Sequence, residues 1–425
     1  MEITALKGFK DILPGEVETW QWLERTARDI FHRFGFAEIK VPIVEKTELF
    51  ARSIGEATDI VEKEMYSFTD RNGESITLRP EGTAPVLRAF IENGLQVRQP
   101  VQRLYTIGPM FRHERPQKGR LRQFHQMSVE VLGSDSPWLD AELMAMAWLL
   151  LSEFGLAVRL QINSLGCPAC RPSYKEALVA FLTQRQEQIC EDCRRRSSTN
   201  PLRVLDCKSE HCQAQYTEAP SILAHLCPGC EEHFAATRKG LSLLGTPYEV
   251  NSFMVRGLDY YTRTTFELVT DALGAQSAVG AGGRYDGLVE QLGGPKNMPG
   301  IGFAMGMERL VLLLAQQNRE VPGEAADLFV AALGEAATEK GFLLSHLLRR
   351  KGYRVAMDYE GRGLKSQMKK ADRAGARFTL IFGDEELAKG EGLLRNMSSK
   401  EQEAISLAGD VDSWCGILAD KIIQR

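Results

Sequence analysis

The hexapeptide from Arg256 to Tyr261 combines a permanent cation, a carboxylate and two phenols. Arginine stays protonated and presents a planar fork of donors that suits phosphate or carboxylate. Tyr260 and Tyr261 can orient a polar small molecule beside it. The hexapeptide predicts a phosphate site next to a small-ligand pocket, and by itself it leaves open a surface arginine beside two core tyrosines.

A second stretch rich in cations covers residues 111–124, between two predicted strands. Arg112 and Arg120 on strand ends can hold the phosphates of a nucleotide. Glu114 can accept a hydrogen bond from an exocyclic amine, and Phe124 offers a face on which a base can stack. A charged hairpin tip is the alternative that this loop leaves open.

Carboxylates and hydroxyls recur at two further places. Glu81 and Thr83 occupy a predicted turn that fits an ammonium group. Gln126 and Glu130 are four residues apart on a predicted strand, so both face the same side. A buried glutamate needs a donor partner, for which a protonatable ring is one possibility. An ordinary polar turn and a solvent-facing strand edge are the alternatives.

A glycine-rich stretch at residues 300–306 leads into Arg309 at the start of a predicted helix. Glycines let the backbone approach a ligand closely, so Arg309 could reach a phosphate. Packing of a strand against a helix is the alternative.

Eight of the nine cysteines form four close pairs, three of them with C-x₂-C spacing: Cys167/Cys170, Cys190/Cys193, Cys207/Cys212 and Cys227/Cys230. Cysteines of a reducing compartment favour metal ligands or free thiols over disulfides, and two such pairs can share a tetrahedral ion. We expect one or two structural Zn²⁺ sites. One grouping has an inner set of Cys190, Cys193, Cys207 and Cys212 and an outer set of Cys167, Cys170, Cys227 and Cys230; other pairings and unliganded thiols remain open.

The composition indicates a globular chain of two or three domains. Its net charge is −4 over 425 residues, so any contact with RNA must use local basic patches. The chain shows no signal-peptide pattern and no apolar run long enough to span a bilayer. These features predict a cytoplasmic protein without a membrane segment.

The pattern of elements predicts how these residues are held. Strands separated by long polar loops predict an antiparallel sheet in an α+β domain. Predicted helices cover residues 14–34 and 138–154, predicted strands cover 37–44, 103–108, 126–132, 158–163, 266–269 and 301–305, and a hairpin spans 65–78. Residues 1–166 and 245–322 would form this domain, and the Cys-rich, mostly helical segment 167–244 would be an insertion. Residues 327–425 predict a small α/β domain with a mostly parallel sheet.

Together these pieces resemble the class II aminoacyl-tRNA synthetases, and within them the histidyl-tRNA synthetase family. Residues 111–114 resemble the second class motif and residues 302–309 the third, while the segment that ends near Pro42 resembles the first. Residues 256–261 and 278–286 resemble the two histidine-specific signatures. The resemblance covers essentially the whole chain and implies an antiparallel catalytic domain with a helical insertion, followed by an anticodon-binding domain.

The resemblance also implies a role for each residue. Residues that would bind the histidine substrate are Glu81, Gly82, Thr83 and Gln126 around the α-amino group, and Glu130, Tyr260 and Tyr261 around the imidazole. Residues that would bind ATP are Arg112 at the α-phosphate, Arg309 at the γ-phosphate, and Glu114, Arg120 and Phe124. Arg256 would be catalytic together with Arg112, beside the α-phosphate and the substrate carboxylate.

The implied activity has two steps: ATP-dependent formation of histidyl-adenylate, assisted by Mg²⁺, and transfer of histidine to the 3′-terminal adenosine of tRNA(His). A homodimer formed through the first motif is also implied. The main alternative is the related histidine-binding regulatory subunit of ATP phosphoribosyltransferase. That family lacks the C-terminal domain and has a degraded first signature. In this chain residues 328–425 are present, and so are Arg112, Arg256 and Arg309. The same arginines disfavour an inactive synthetase domain adapted for RNA sensing.

Overall fold

The chain divides into two compact units, Met1–Glu320 and Val321–Arg425. The computed structural model describes residues 3–55, 58, 60–207, 209–255, 258, 260–273, 278–317 and 325–423. No described helix has both the length and the apolar character needed to cross a membrane.

The first unit contains eleven of the described strands and eleven of the described α-helices. The strands are β1 Ala37–Glu38, β2 Val44–Lys46, β3 Tyr66–Thr69, β4 Ser75–Leu78, β5 Gln102–Phe111, β6 Gln123–Leu132, β7 Arg159–Ser164, β8 Tyr248–Val250, β9 Thr262–Val269, β10 Ala278–Arg284 and β11 Gly300–Gly306. The helices are α1 Val17–Arg33, α2 Thr47–Ile54, α3 Thr83–Glu92, α4 Leu95–Arg98, α5 Pro137–Glu153, α6 Arg171–Thr183, α7 Glu191–Thr199, α8 Glu210–Gln215, α9 Pro228–Leu243, α10 Leu288–Gln291 and α11 Met307–Gln316.

An eight-stranded sheet in the order β1-β5-β6-β11-β10-β9-β7-β8 forms the centre of this unit. Its inner strands pair antiparallel, and only β1 with β5 and β7 with β8 pair parallel. The predicted antiparallel sheet is therefore confirmed. A second sheet of three strands, in the order β2-β4-β3, contains the predicted hairpin.

The single strand predicted for residues 37–44 is wrong. The chain instead forms β1 and β2, which belong to different sheets. Pro42 lies between them and has no N–H to donate to a ladder, so it interrupts the pairing. Pro42 thus divides a run of strand-forming residues. The prediction from the residue pattern gave this proline too little weight.

The core lies on one face of the large sheet, under α1, α5 and α11. Leu23, Ile30 and Phe31 of α1 recur at helical spacing and are fully buried. They join Val129 of β6 and Phe303 of β11 in one hydrophobic cluster. Packing of the helices against this face holds the sheet in place. The opposite face can therefore carry polar groups.

Residues 167–244 are mostly helical and contain α6 to α9. They have their own hydrophobic cluster, which includes Tyr174 and Leu178 of α6. The same cluster takes in Tyr261, which follows the insertion in sequence and belongs to the first signature. The insertion and that signature therefore share packing.

The second unit is an α/β domain with one sheet in the order β13-β12-β14-β15-β16. Its elements are β12 Leu328–Leu333, α12 Glu335–Arg350, β13 Val355–Met357, α13 Leu364–Arg373, β14 Phe378–Gly383, α14 Asp384–Lys389, β15 Glu391–Asn396, β16 Gln402–Ser406 and α15 Val411–Ile423. The expected mostly parallel sheet is only half right, because β15 and β16 pair antiparallel. Four of the five residues of β16 are exposed, so the strand gives no apolar signal in the sequence.

Candidate active site

One strand of the large sheet, β6, carries the centre of the candidate site. Met127, Val129 and Val131 belong to the core. Side chains alternate along a strand, so the intervening residues face the other side. Those residues are polar: Gln126, Ser128 and Glu130.

Glycines of the neighbouring strands keep the space beside Glu130 open. Gly302 of β11 is directly opposite Glu130, and Gly283 of β10 is opposite Gly302. A Cβ added at Gly302 would lie 2.5 Å from the carbonyl oxygen of Val129 and 2.8 Å from Cδ of Glu130, and closer still to its Oε2. Gly302, which belongs to the third motif, therefore leaves the space beside Glu130 on the polar face of β6 free of a side chain.

Gly302→Ala should weaken ligand binding in this pocket while leaving most of the fold intact. The added methyl group must displace Glu130 and the β6 backbone, and overpacking of this kind costs about 1–3 kcal/mol. We expect at least a tenfold weaker affinity for L-histidine, measured by calorimetry, with a modest fall in the melting temperature. Gly306→Ala is the stability control, because its added Cβ meets no atom within 4 Å. Unchanged histidine affinity in Gly302→Ala would contradict this geometry.

Glu81 lies two residues before α3 and is almost fully buried. Its two carboxylate oxygens accept the backbone N–H groups of Thr83 at 2.7 Å and Ala84 at 2.8 Å. Burial raises the pKa of Glu81, while these N–H groups and the Arg112 cation oppose that rise. The two N–H groups thus fix the orientation of the Glu81 carboxylate. Its oxygens keep further lone pairs that can accept hydrogen bonds from a ligand.

Glu130 is connected to Glu81 through Thr83. The Thr83 hydroxyl donates to Oε1 of Glu130 at 2.7 Å, and the Tyr285 hydroxyl donates to Oε2. Burial raises the pKa of Glu130 to about 8, against the effect of these two donors, and the charge of Glu81 adds to the rise. Thr83 thus joins two buried carboxyl groups through hydrogen bonds, and burial raises the pKa of both.

The raised pKa of Glu130 predicts a pH dependence of stability. In the unfolded chain a glutamate has a pKa of about 4.3, so the folded protein keeps a proton that the unfolded chain loses as pH rises from about 4 to 8. The free energy of unfolding should fall across this window. We expect Glu130→Gln to reduce the fall in melting temperature between pH 5.5 and 7.5 by a few degrees. Equal pH slopes for the two proteins would show that Glu130 does not titrate there.

Two buried oxygens near these carboxyls have no hydrogen-bond partner among the described residues: Gln126 Oε1 and Ser128 Oγ. A buried acceptor without a donor is costly. Both atoms belong to the polar face of β6, next to Glu81 and Glu130. An ammonium group of a ligand would supply the missing donors.

Three tyrosines close the other side of the pocket. The ring centroids of Tyr260 and Tyr261 are 4.7 Å apart, and those of Tyr260 and Tyr285 are 5.9 Å apart. Burial and the charges of neighbouring phenol and carboxylate groups raise the pKa of Tyr260 and of Tyr285 well above the usual range. Their hydroxyls therefore stay protonated and act as donors.

The loop of the second motif forms the cationic part of the site. Arg112 donates through Nε to the carbonyl of Pro80 at 2.8 Å, and its guanidinium lies 5.3 Å from the Phe124 ring centroid. Arg120 forms an ion pair with Glu114 at 2.7 Å. These contacts fix the guanidinium of Arg112 immediately beside the turn that carries Glu81.

Arg309 lies at the start of α11 and donates to the carbonyl of Ala278. Its pKa is lowered by burial and then by the cation of Arg120, with Glu114 acting in the opposite direction. Two like charges close together in a partly buried site favour an anion between them. Arg120 and Arg309 therefore form a suitable site for phosphate oxygens.

The structure thus brings together most of the residues that the sequence predicted, in two adjoining groups. The acidic group of residues contains Glu81, Thr83, Gln126 and Glu130, with Tyr260 and Tyr261. The cationic group of residues contains Arg112, Glu114, Arg120, Phe124 and Arg309. Gly82 precedes α3, and a Cβ there would lie 3.1 Å from Ser128 Oγ. Arg256, Gly257 and Asp259 lie outside the described residues.

Sequence reasoning missed two residues that position the site. Tyr285 belongs to the second signature, yet only the structure reveals its bond to Glu130. Arg79 is buried and donates to the carbonyls of Pro109 at 2.9 Å and Val41 at 3.0 Å, which ties the first motif to the second. Its position directly before Pro80 and Glu81 was a signal that could have identified it.

The eight cysteines of the insertion form two groups. The outer cluster contains Cys167, Cys170, Cys227 and Cys230, and the inner cluster contains Cys190, Cys193, Cys207 and Cys212. Within each cluster all four Sγ atoms lie within 4.8 Å of one another. The grouping is the one that the sequence analysis gave as its example.

Comparison with known families adds independent findings. Residues 8–310 match the family model for histidyl-tRNA synthetase, and residues 327–412 match that for an anticodon binding domain. A histidine–tRNA ligase of Desulfotalea psychrophila is 63% identical over 412 residues, which cover 97% of this chain and 95% of the relative.

Solved structures agree. The apo histidyl-tRNA synthetase of S. aureus superposes with a TM-score of 0.81 at 38% identity, covering 97% of this chain and all of the other. An ATP phosphoribosyltransferase regulatory subunit/histidyl-tRNA synthetase from Bacillus halodurans C has a TM-score of 0.63 at 18% identity, covering 87% of this chain and 97% of the other. The second likeness shows a shared fold only.

Proposed function

Because this chain belongs to the histidyl-tRNA synthetase family, we propose that it is a histidine–tRNA ligase, a class II aminoacyl-tRNA synthetase. It activates L-histidine with ATP and transfers the histidyl group to the 3′-terminal adenosine of tRNA(His). The observation that carries this proposal is the junction between the two groups of the site. A fixed carboxylate, Glu81, adjoins a fixed guanidinium, Arg112, so an amino acid and a nucleotide can meet there.

Histidine binding uses the acidic group of residues, which includes Glu81 and Glu130. The α-ammonium group lies among Glu81, Thr83 and Gln126, where it gives Gln126 Oε1 a donor. The imidazole lies against Glu130, with Tyr260 and Tyr261 beside it. An analogue without ring nitrogens would leave buried polar groups unpaired, which can cost several powers of ten in selectivity.

The activation step uses the cationic group. The histidine carboxylate attacks the α-phosphorus in line, and pyrophosphate leaves. Negative charge builds on the α-phosphate oxygens, where Arg112 and Arg256 stabilise it more in the transition state than in the ground state. Arg120 and Arg309 hold the outer phosphates, and bound Mg²⁺ would neutralise part of the phosphate charge.

The expected zinc is structural and stays outside this chemistry. Each cysteine cluster offers four thiols, so a tetrahedral ion held there keeps no open position for water or substrate. None of the eight thiols is needed in either step of the reaction.

Partners follow from the same assignment. The second unit, whose residues 327–412 match the anticodon-binding family, binds the anticodon of tRNA(His). A homodimer forms through the first-motif region, where the apolar side chains of Val44 and Phe68 on the three-stranded sheet, and of Ile43 just before it, are exposed. Sedimentation equilibrium measures this assembly. The site of action is the cytoplasm.

Charging of tRNA(His) tests the ligase proposal. The full-length protein, ATP, Mg²⁺, labelled L-histidine and a tRNA(His) transcript should give ATP-dependent, acid-precipitable histidine. The regulatory-subunit alternative predicts histidine binding without charging. A tRNA transcript for a different amino acid is the matched control, and equal charging of both would contradict the assigned specificity.

A further inference from the structure

We propose that the two cysteine clusters are zinc sites and that the outer one holds the Tyr260–Tyr261 loop in its histidine-binding position. The second half of this inference rests on the proposed function. The first half concerns a metal site that stands apart from the catalytic groups and is testable by itself.

Spacing between sulfur atoms fits one ion in each cluster. A tetrahedral ion with Zn–S bonds of about 2.3 Å has sulfur–sulfur edges of about 3.8 Å. In the outer cluster Sγ of Cys167 lies 3.7 Å from that of Cys170 and 3.8 Å from that of Cys227. In the inner cluster the Sγ atoms of Cys190 and Cys207 are 3.9 Å apart. The thiols are thus placed at ligand spacing.

The backbone around the thiols is shaped for metal binding. The N–H of Cys170 donates to the carbonyl of Cys167 at 3.0 Å, and the N–H of Cys230 donates to that of Cys227 at 2.9 Å. Both pairs thus form the same tight turn at a helix start, each with a proline after the first cysteine. The N–H of Cys227 also donates to Sγ of Cys170 at 3.1 Å, an arrangement that stabilises a thiolate.

Zinc is the ion that this chemistry favours. Four thiolates in tetrahedral array select Zn²⁺ or iron–sulfur centres. An iron–sulfur cluster places several metal atoms between its thiolates and would need them further apart than one tetrahedral edge. All eight cysteines are free thiols without disulfide bonds, as single-ion ligands require.

The outer cluster joins the base of the insertion to the first signature. Cys170 is followed directly by Arg171, whose Nη2 donates to the carbonyl of Tyr261. On the other side of the cluster the chain before Cys167 pairs with the strand after Tyr261. There the N–H of Leu165 donates to the carbonyl of Arg263 at 2.7 Å, and the N–H of Arg263 donates to that of Gly166 at 2.8 Å.

The contact between Gly166 and Cys170 makes this joint tight. Gly166 has a φ of +62°, and a Cβ there would lie 2.7 Å from Cβ of Cys170. A metal ion that fixes Cys167 and Cys170 therefore also fixes the segment that pairs with Arg263. Tyr261 is held from both sides of the cluster.

From Tyr261 the path to the pocket is short. Its ring packs on Tyr260, which packs on Tyr285, and Tyr285 donates to Glu130. The outer site thus acts as a positioning device for the residues that receive the imidazole. The inner ligands Cys193 and Cys212 lie in the hydrophobic cluster of the insertion, which also takes in Tyr261.

Metal content tests the first half. Full-length protein purified without added zinc should contain two zinc atoms per chain by plasma mass spectrometry. Cys227→Ser and Cys212→Ser should each lose one, whereas Cys415→Ser, at a buried cysteine of the second unit, should keep both. No metal together with eight reactive thiols, or iron with visible absorbance, would overturn the zinc sites.

Calorimetry with L-histidine tests the second half. Cys227→Ser should weaken histidine affinity about tenfold or more, with ATP affinity changed less than twofold. Arg171→Ala keeps all eight thiols, so it should retain two zinc atoms, show the same histidine defect and be partly rescued by Arg171→Lys. Wild-type affinity in Arg171→Ala, or in a folded Cys227→Ser protein that has lost a zinc atom, would overturn the positioning role. Failure of the unaltered protein to bind histidine would instead count against the proposed function, and the metal count would stand.

Discussion

Arg112→Ala is expected to lower kcat/KM for histidine-dependent ATP–pyrophosphate exchange by about 10²–10³-fold, because removal of one preorganised donor at a developing negative charge has an effect of that size. Arg112 is suited to this role because its guanidinium is held by the Pro80 carbonyl and by the face of Phe124. Little reorganisation is needed when charge builds on the α-phosphate. The loss should fall mainly on kcat, since the interaction strengthens in the transition state.

Two further variants make this test specific. Arg112→Lys keeps the charge without the planar fork, so it should recover only part of the lost rate. Arg159→Ala removes an exposed arginine that pairs with Asp271 at 2.6 Å near the sheet edge, and it should retain the full rate. A kcat for Arg112→Ala within threefold of the unaltered protein would exclude Arg112 as the main stabilising group.

Glu81→Gln should raise the KM for histidine about a hundredfold while the KM for ATP changes less than twofold. Glu81 accepts hydrogen bonds from two backbone N–H groups, which favour its ionised form against the rise in pKa that burial causes. Loss of the charge that meets a buried ammonium group typically costs about 2–5 kcal/mol. Glutamine also brings an NH₂ group towards backbone N–H donors of Thr83 and Ala84, which adds to the loss.

Glu92→Gln is the matched control for this change. It alters a glutamate of α3, the helix that follows Glu81; its carboxylate is exposed and pairs with Arg88 at 2.8 Å. Steady-state exchange at varied histidine and varied ATP separates the two KM values. Equal increases in both, or none in Glu81→Gln, would contradict the assignment of Glu81 to the α-ammonium group.

Sequence patterns were sufficient to predict those parts of the protein in which the type and spacing of the residues have one common structural explanation. The alternation of Gln126 and Glu130 predicted one polar face of a strand, and the structure has both on β6. Cysteine spacing predicted grouped thiols, and the two clusters follow the grouping given as an example. The antiparallel sheet followed from strands with few intervening helices.

Sequence patterns were insufficient wherever a role depends on contacts between distant segments. Tyr285 acts on Glu130 from 155 residues away, and nothing near it in the sequence indicates that bond. Gly302 appeared to be one of several packing glycines until the sheet register placed it opposite Glu130. The exposed strand β16 lacked an apolar pattern, so its pairing could not be foreseen.

Histidine-dependent ATP–pyrophosphate exchange by the unaltered protein tests the central claim most directly. Each of the twenty amino acids would be supplied in turn with ATP, Mg²⁺ and labelled pyrophosphate. The pocket described here predicts exchange with L-histidine alone. Histidine binding without exchange would support the regulatory alternative, and exchange driven by another amino acid would contradict the assigned pocket.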